Sequence, residues 1–178
     1  MDRLQHRTGA VIICLIMIAL ASVLGAGITL REMREQSAAS FQLPEFQQDI
    51  VDLSGECANI ISISRNYLPD DHEDVLQVRQ RQDELSRAQS PREKGRAVNE
   101  LVDATHRLHG TLRGQSGFTD ADNDIAHARM LDIDQRQATI ARYNPYNQNA
   151  AYFNRELSRF PANILGPVAG VRPLELYE

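Results

Sequence analysis

The sequence predicts an all-α protein: an N-terminal transmembrane helix followed by an antiparallel four-helix bundle with long first and last helices. Three observations predict it. Gly9 to Leu30 is an uncharged, apolar run of about 22 residues, enough to span a hydrocarbon core of roughly 30 Å as a helix. Beyond it, apolar residues recur at alternating steps of three and four, the period of a helix and not of a strand. Proline and capping residues then divide the rest into four segments of unequal length.

The division in sequence is a short N-terminal tail over 1–8, the transmembrane helix over 9–30, the helical bundle over 31–165 and an apolar C-terminal tail over 166–178. The apolar run carries Val11, Ile12, Ile13, Leu15, Ile16, Met17, Ile18, Leu20, Val23, Leu24, Ile28 and Leu30. Ala19-Leu20-Ala21 resembles a signal-peptidase site, but the run continues well past it, which favours an uncleaved anchor. Arg3 and Arg7 before the run are balanced by Arg31 and Arg34 after it, so the positive-inside rule does not choose a side. The free amino group tilts the balance towards a cytoplasmic N-terminus.

After the span, Phe46, Ile50, Leu53, Cys57, Ile60, Ser64 and Tyr67 form a heptad seam, interrupted upstream by Pro44. Leu68-Pro69-Asp70-Asp71 reads as the start of a second helix with Val75, Val78, Gln82 and Leu85 on its inner side. Ser90-Pro91-Arg92-Glu93 is a capping box for a third helix that turns Ala97, Leu101, Thr105, Leu108 and Leu112 inward. Thr119-Asp120-Ala121-Asp122 opens a fourth, carrying Ile125, Ile133 and Ile140. The rise per residue puts Pro44 and Pro145 at one height, which predicts a shared kink.

The net charge is −5, which argues against nucleic acid as a partner because phosphates need a basic face. Cys14 and Cys57 have no spacing for a disulfide framework or a cysteine metal site. Asp120, Asp122 and Asp124 begin like a calcium loop, but Ile125 and Leu131 stand where glycine and glutamate are needed. His106 and His109 lie three apart on one helix without a third ligand nearby in sequence, which reads as a solvated face. The acidic run from Asp70 to Asp74 is explained by the helix dipole. No phosphate loop or nucleophile elbow is present in the sequence, so neither a catalytic residue nor a cofactor is expected.

The last third is the most distinctive. Tyr146-Asn147, Phe153-Asn154 and Phe160-Pro161 repeat at a seven-residue step, two helical turns. The aromatics then share one stripe and the asparagines another. Ile133, Ile140, Asn147 and Asn154 make one seam, with Tyr143, Ala150 and Leu157 beside it. If that seam faces the first helix, the asparagines are buried and must find partners. Pro161 is expected to stop the helix.

These residues resemble the C-terminal signature of the LemA family: Tyr-Asn twice at a seven-residue step, then Phe-Pro-Ser-Asn and a short apolar tail ending near Phe-Glu. Here the corresponding residues are Tyr146-Asn147, Phe153-Asn154, Phe160-Pro161-Ala162-Asn163 and Leu176-Tyr177-Glu178. The chain is identified as a divergent member, since Phe153 replaces the second Tyr and Pro145 intrudes. The resemblance implies a single-pass protein of a bacterial inner membrane with a helical domain and no established catalytic activity. One branch of that family is linked to building internal membranes. The expectation is a scaffold or interaction protein, with the lipid bilayer and an unidentified protein as partners and self-association left open. Its C-terminal tail (Val168, Val171, Leu174, Leu176, Tyr177) is expected to turn back to the lipid. The alternative is an exported helical ligand-binding domain released by cleavage after Ala21.

Overall fold

The structure is a computed structural model that describes residues 2–142 and 144–177. Tyr143, and the side chains of Arg3, Arg7 and Ala19, lie outside the described residues. Among the described residues every regular element is helical: α1 (Asp2–Ala39), a 3-10 turn (Ser40–Gln42), α2 (Pro44–Ser64), α3 (Glu73–Arg87), α4 (Pro91–Arg113), α5 (Asp120–Arg142), α6 (Pro145–Leu157) and α7 (Ala162–Val168). They fall into two compact units. One joins 1–39 to 149–174, the other 40–148 to 175–178.

In the larger unit α2 packs on α5, α4 and α3, and α4 packs on α3 and α5. The α2 seam is buried from Phe46 through Ile50, Leu53, Cys57, Ile60 and Ser64. Tyr67 lies beyond the helix, half-buried, with its ring edge-on to Phe118 and its hydroxyl on the Asp122 carboxylate. Ala97, Leu101, Thr105, Leu108 and Leu112 of α4 all face the core. Ser90 and Glu93 complete the reciprocal capping box, and Thr119 Oγ1 accepts from the Asp122 N–H. Ion pairs Glu56–Arg129 and Asp52–Arg136, both 3.1 Å, tie α2 to α5 across their half-exposed edges.

Two expectations inside this unit are corrected. The second helix begins at Glu73, not at Pro69, because the His72 imidazole accepts from the Asp74 N–H and supplies the cap. On α5 the buried residues are Ala126, Met130, Ile133 and Ile140, whereas Ile125 is exposed. Ala126 takes its place because the three-four step runs back from Met130 and Ile133 through that residue.

Pro44 and Pro145 do not kink continuous helices; each opens a new one. A proline inside a helix loses a hydrogen bond and clashes with the preceding turn, and neither cost arises at the first position. The long first and last helices are therefore divided: α1 stops at Ala39, and the last segment becomes α5, α6 and α7. The two breaks lie side by side, since the Phe41 and Tyr146 rings meet edge-on at 5.3 Å.

In the smaller unit α1 is helical throughout Asp2–Ala39, so 31–39 continues the apolar helix. An 18-residue window of this helix has a mean hydropathy of 2.8, and the helix is long and apolar enough to cross a membrane. Its large apolar residues from Val11 to Ile28 are between 51% and 67% exposed, apart from the half-buried Val23. α7 packs against α1. Glycine at 27 permits the approach, since a Cβ there would come within 2.9 Å of the Ala169 Cβ; a Cβ at Gly166 would come within 2.6 Å of Leu157 Cδ1 on α6 and 4.0 Å of Leu30 Cδ1 on α1.

Candidate functional site

α6 begins on a local cap. Asn144 Oδ1 accepts from the Asn147 N–H at 3.1 Å, and Pro145 occupies the first helical position. From there Tyr146, Ala150, Phe153 and Leu157, at steps of four, three and four, are buried. Asn147 and Asn154 each follow a buried aromatic and sit half-buried at its edge.

Their partners are in the C-terminal tail. In the smaller unit, Asn154 Oδ1 accepts from the Leu174 N–H at 2.8 Å while its Nδ2 donates to the Leu174 carbonyl at 2.9 Å. In the larger unit, Asn147 does the same to Tyr177, with both bonds at 2.7 Å. Each asparagine thus satisfies both backbone groups of one tail residue, as a neighbouring strand would. An extended segment without a strand partner otherwise leaves those groups to water. A primary amide is suited to the task because it carries an acceptor and a donor on one short planar group.

The spacings agree. Seven residues of helix rise about 10.5 Å, and three residues of extended chain advance roughly 9–10 Å. A clamp at every second helical turn therefore meets every third tail residue. Val171, Leu174 and Tyr177 are buried at steps of three along the tail.

Side-chain packing accompanies the clamps. The Tyr146 hydroxyl donates to the Glu175 carbonyl at 2.5 Å, and the Tyr177 ring stands edge-on to Phe46 at 5.4 Å. Burial pushes the Tyr177 phenol well above the usual tyrosine range. In the smaller unit Gly170 turns the chain at φ +71°, where a side chain would be strained. Arg31 Nη2 then donates to the Ala169 carbonyl at 2.8 Å, and Arg34 Nε to the Arg172 carbonyl at 3.1 Å.

Of the six residues singled out in sequence, four come together: Tyr146, Asn147, Phe153 and Asn154 all lie on α6. Phe160 and Pro161 do not join them. α6 ends at Leu157, so Phe160 falls outside the aromatic stripe and is exposed, and Pro161 caps the start of α7. The asparagine stripe is covered by the tail backbone in place of the first helix. The tail, expected to turn its apolar residues to lipid, buries Val171, Leu174 and Tyr177 in protein; of the five, Val168 is exposed and Leu176 is half-buried.

The other candidates are separate. His106 Nε2 lies 2.8 Å from an Asp134 carboxylate oxygen on the surface. His109 is buried, and desolvation, then Arg113, His127 and His106, hold its imidazole below the usual range. Among the described residues no group of three or more His, Cys, Asp or Glu is placed to hold a metal. The clamps offer neutral amides, which recognise peptide backbone irrespective of side chain. No protein-family model matches the chain, and no curated protein matches it.

Proposed function

We propose that the protein is a membrane-anchored helical scaffold, a divergent LemA-type protein of a bacterial inner membrane, without catalytic activity. In this reading α2 to α5 form an antiparallel four-helix bundle that meets a protein partner, and α1 carries the bundle on the bilayer as a single pass.

The observation that supports it is the exposure of α1. A helix with a buried soluble role turns its apolar residues into a core, yet ten large apolar side chains between Val11 and Ile28 stand more than half exposed. A lipid environment removes that surface from water. The asparagine clamps support a structural role for the distinctive α6 motif, because their bonding capacity is taken up by the chain's own tail.

The test is alkaline carbonate extraction of membranes from cells expressing the full chain, with intact-mass measurement of the retained protein. Retention of a chain that still contains residues 1–21 is expected. A soluble product beginning at Ser22 would replace this reading with the exported, released domain.

A further inference from the structure

We propose that the exposed face of Phe160, Ile164 and Val168 enters the boundary between headgroups and acyl chains of the same bilayer, while Arg31, Arg34 and Arg172 receive anionic lipid phosphates. The proposal rests on the reading that α1 spans the membrane, and adds a second lipid-contacting element.

Position carries the first part. α7 is packed on α1 at Gly27 and Leu30, and Arg31 reaches the Ala169 carbonyl just beyond α7. Those residues end the uncharged run, and Arg31 is the first charge after it. With α1 inserted, Gly27 to Leu30 lie in the last turn of hydrocarbon, and α7 is held at that level by contact.

Surface chemistry carries the second. Phe160 is 80% exposed, Ile164 57% and Val168 68%; Ile164 and Val168 share one side of α7 at a step of four, and Phe160 stands in the turn that leads into it. On α1, with which α7 is in contact, Leu20, Leu24 and Ile28 are likewise exposed at steps of four. Burial of Gly166 shows which side α7 gives to protein, and the apolar stripe is on a different one.

Charge carries the third. Arg31, Arg34, Arg172, Glu35, Gly170 and Val171 line a cavity of about 320 Å³. Arg31 and Arg34 each spend one described N–H on a tail carbonyl, leaving further donors of a five-donor group. Among the described residues none of the three arginines is within ion-pair distance of a carboxylate, and Glu35 is the one acid on the cavity wall. Cations at the end of a membrane span, beside an apolar face, match the anionic headgroup layer.

The chain has no tryptophan, so one can be introduced as a depth probe. Full-length Phe160→Trp and Val168→Trp proteins are reconstituted into phosphatidylcholine vesicles, with or without phosphatidylglycerol, carrying a quencher near the top of the acyl chain. Leu20→Trp reports the span and Leu131→Trp, an exposed site on α5, reports water. The expected result is severalfold stronger lipid quenching and severalfold weaker acrylamide quenching at 160 and 168 than at 131, enhanced by phosphatidylglycerol. Replacing Arg34 and Arg172 with Gln should abolish that enhancement. Lipid quenching at 20 but not at 160 and 168 overturns this proposal and spares the span; no quenching at 20 overturns both. Shielding at 160 and 168 from both quenchers means a second copy covers the face, and overturns it. Phosphatidylglycerol-independent quenching overturns the headgroup assignment.

Discussion

Asn147 binds Tyr177 as one strand binds another: the side-chain amide accepts from the Tyr177 N–H and donates to the Tyr177 carbonyl, both at 2.7 Å. Asn154 repeats the arrangement on Leu174. The aromatic-Asn repeat is thus a two-part device, with the aromatic turned into the core and the amide turned to the tail.

Asn147→Ala and Asn154→Ala should each cost about 1–3 kcal/mol, because two part-buried backbone groups lose their partners. Asp substitutions should restore neither clamp, since a carboxylate cannot donate to the carbonyl. Amide hydrogen exchange checks this residue by residue. The Tyr177 amide should lose protection in the Asn147 variants and the Leu174 amide in the Asn154 variants.

Gly27→Ala should destabilise the packing of α7 by about 1–3 kcal/mol, because its new Cβ meets the Ala169 Cβ at 2.9 Å and neither atom can rotate away. Gly25→Ala meets nothing within 4 Å and should be neutral or slightly stabilising. Proteolytic protection of residues 162–174 in the two variants distinguishes them.

Burial lowers the folded His109 imidazole below its ordinary value of 6.5. As pH falls through that value the unfolded chain takes up a proton that the folded chain refuses, so stability falls with it until the lower, folded value is passed. His109→Leu should remove this part of the acid sensitivity. Urea unfolding midpoints across the mildly acidic range, wild type against variant, measure it.

Cys57 is fully buried, and burial raises its thiol to about 11. Aqueous alkylation of Cys57 should therefore track unfolding. Labelling kinetics in increasing urea should report the same transition as circular dichroism.

Features set by near neighbours were legible in the sequence. Ser90, Pro91 and Glu93 cap their helix through atoms three residues apart, and the seam from Phe46 to Ser64 follows from helical period alone. The division at Pro44 and Pro145 is equally local, although proline's cost inside a helix favoured two starts over two bends. The asparagine repeat was visible, but its partners were not. They are backbone groups 20 and 30 residues away, and a backbone carries no residue signature. A trace existed in the tail: Val171, Leu174 and Tyr177 recur every third residue, the step that matches seven residues of helix. Phe160 was misplaced because the seven-residue repeat continues in sequence past the end of α6 at Leu157.

Cys14 offers the most direct test that α1 lies in the bilayer. It is exposed on the protein itself, so no part of the described fold shields it from a water-soluble maleimide. In membranes containing the Cys57→Ala protein, Cys14 should stay unlabelled until the membranes are dissolved in denaturing detergent. Complete labelling in intact membranes opened to reagent on both faces would contradict a membrane-spanning α1.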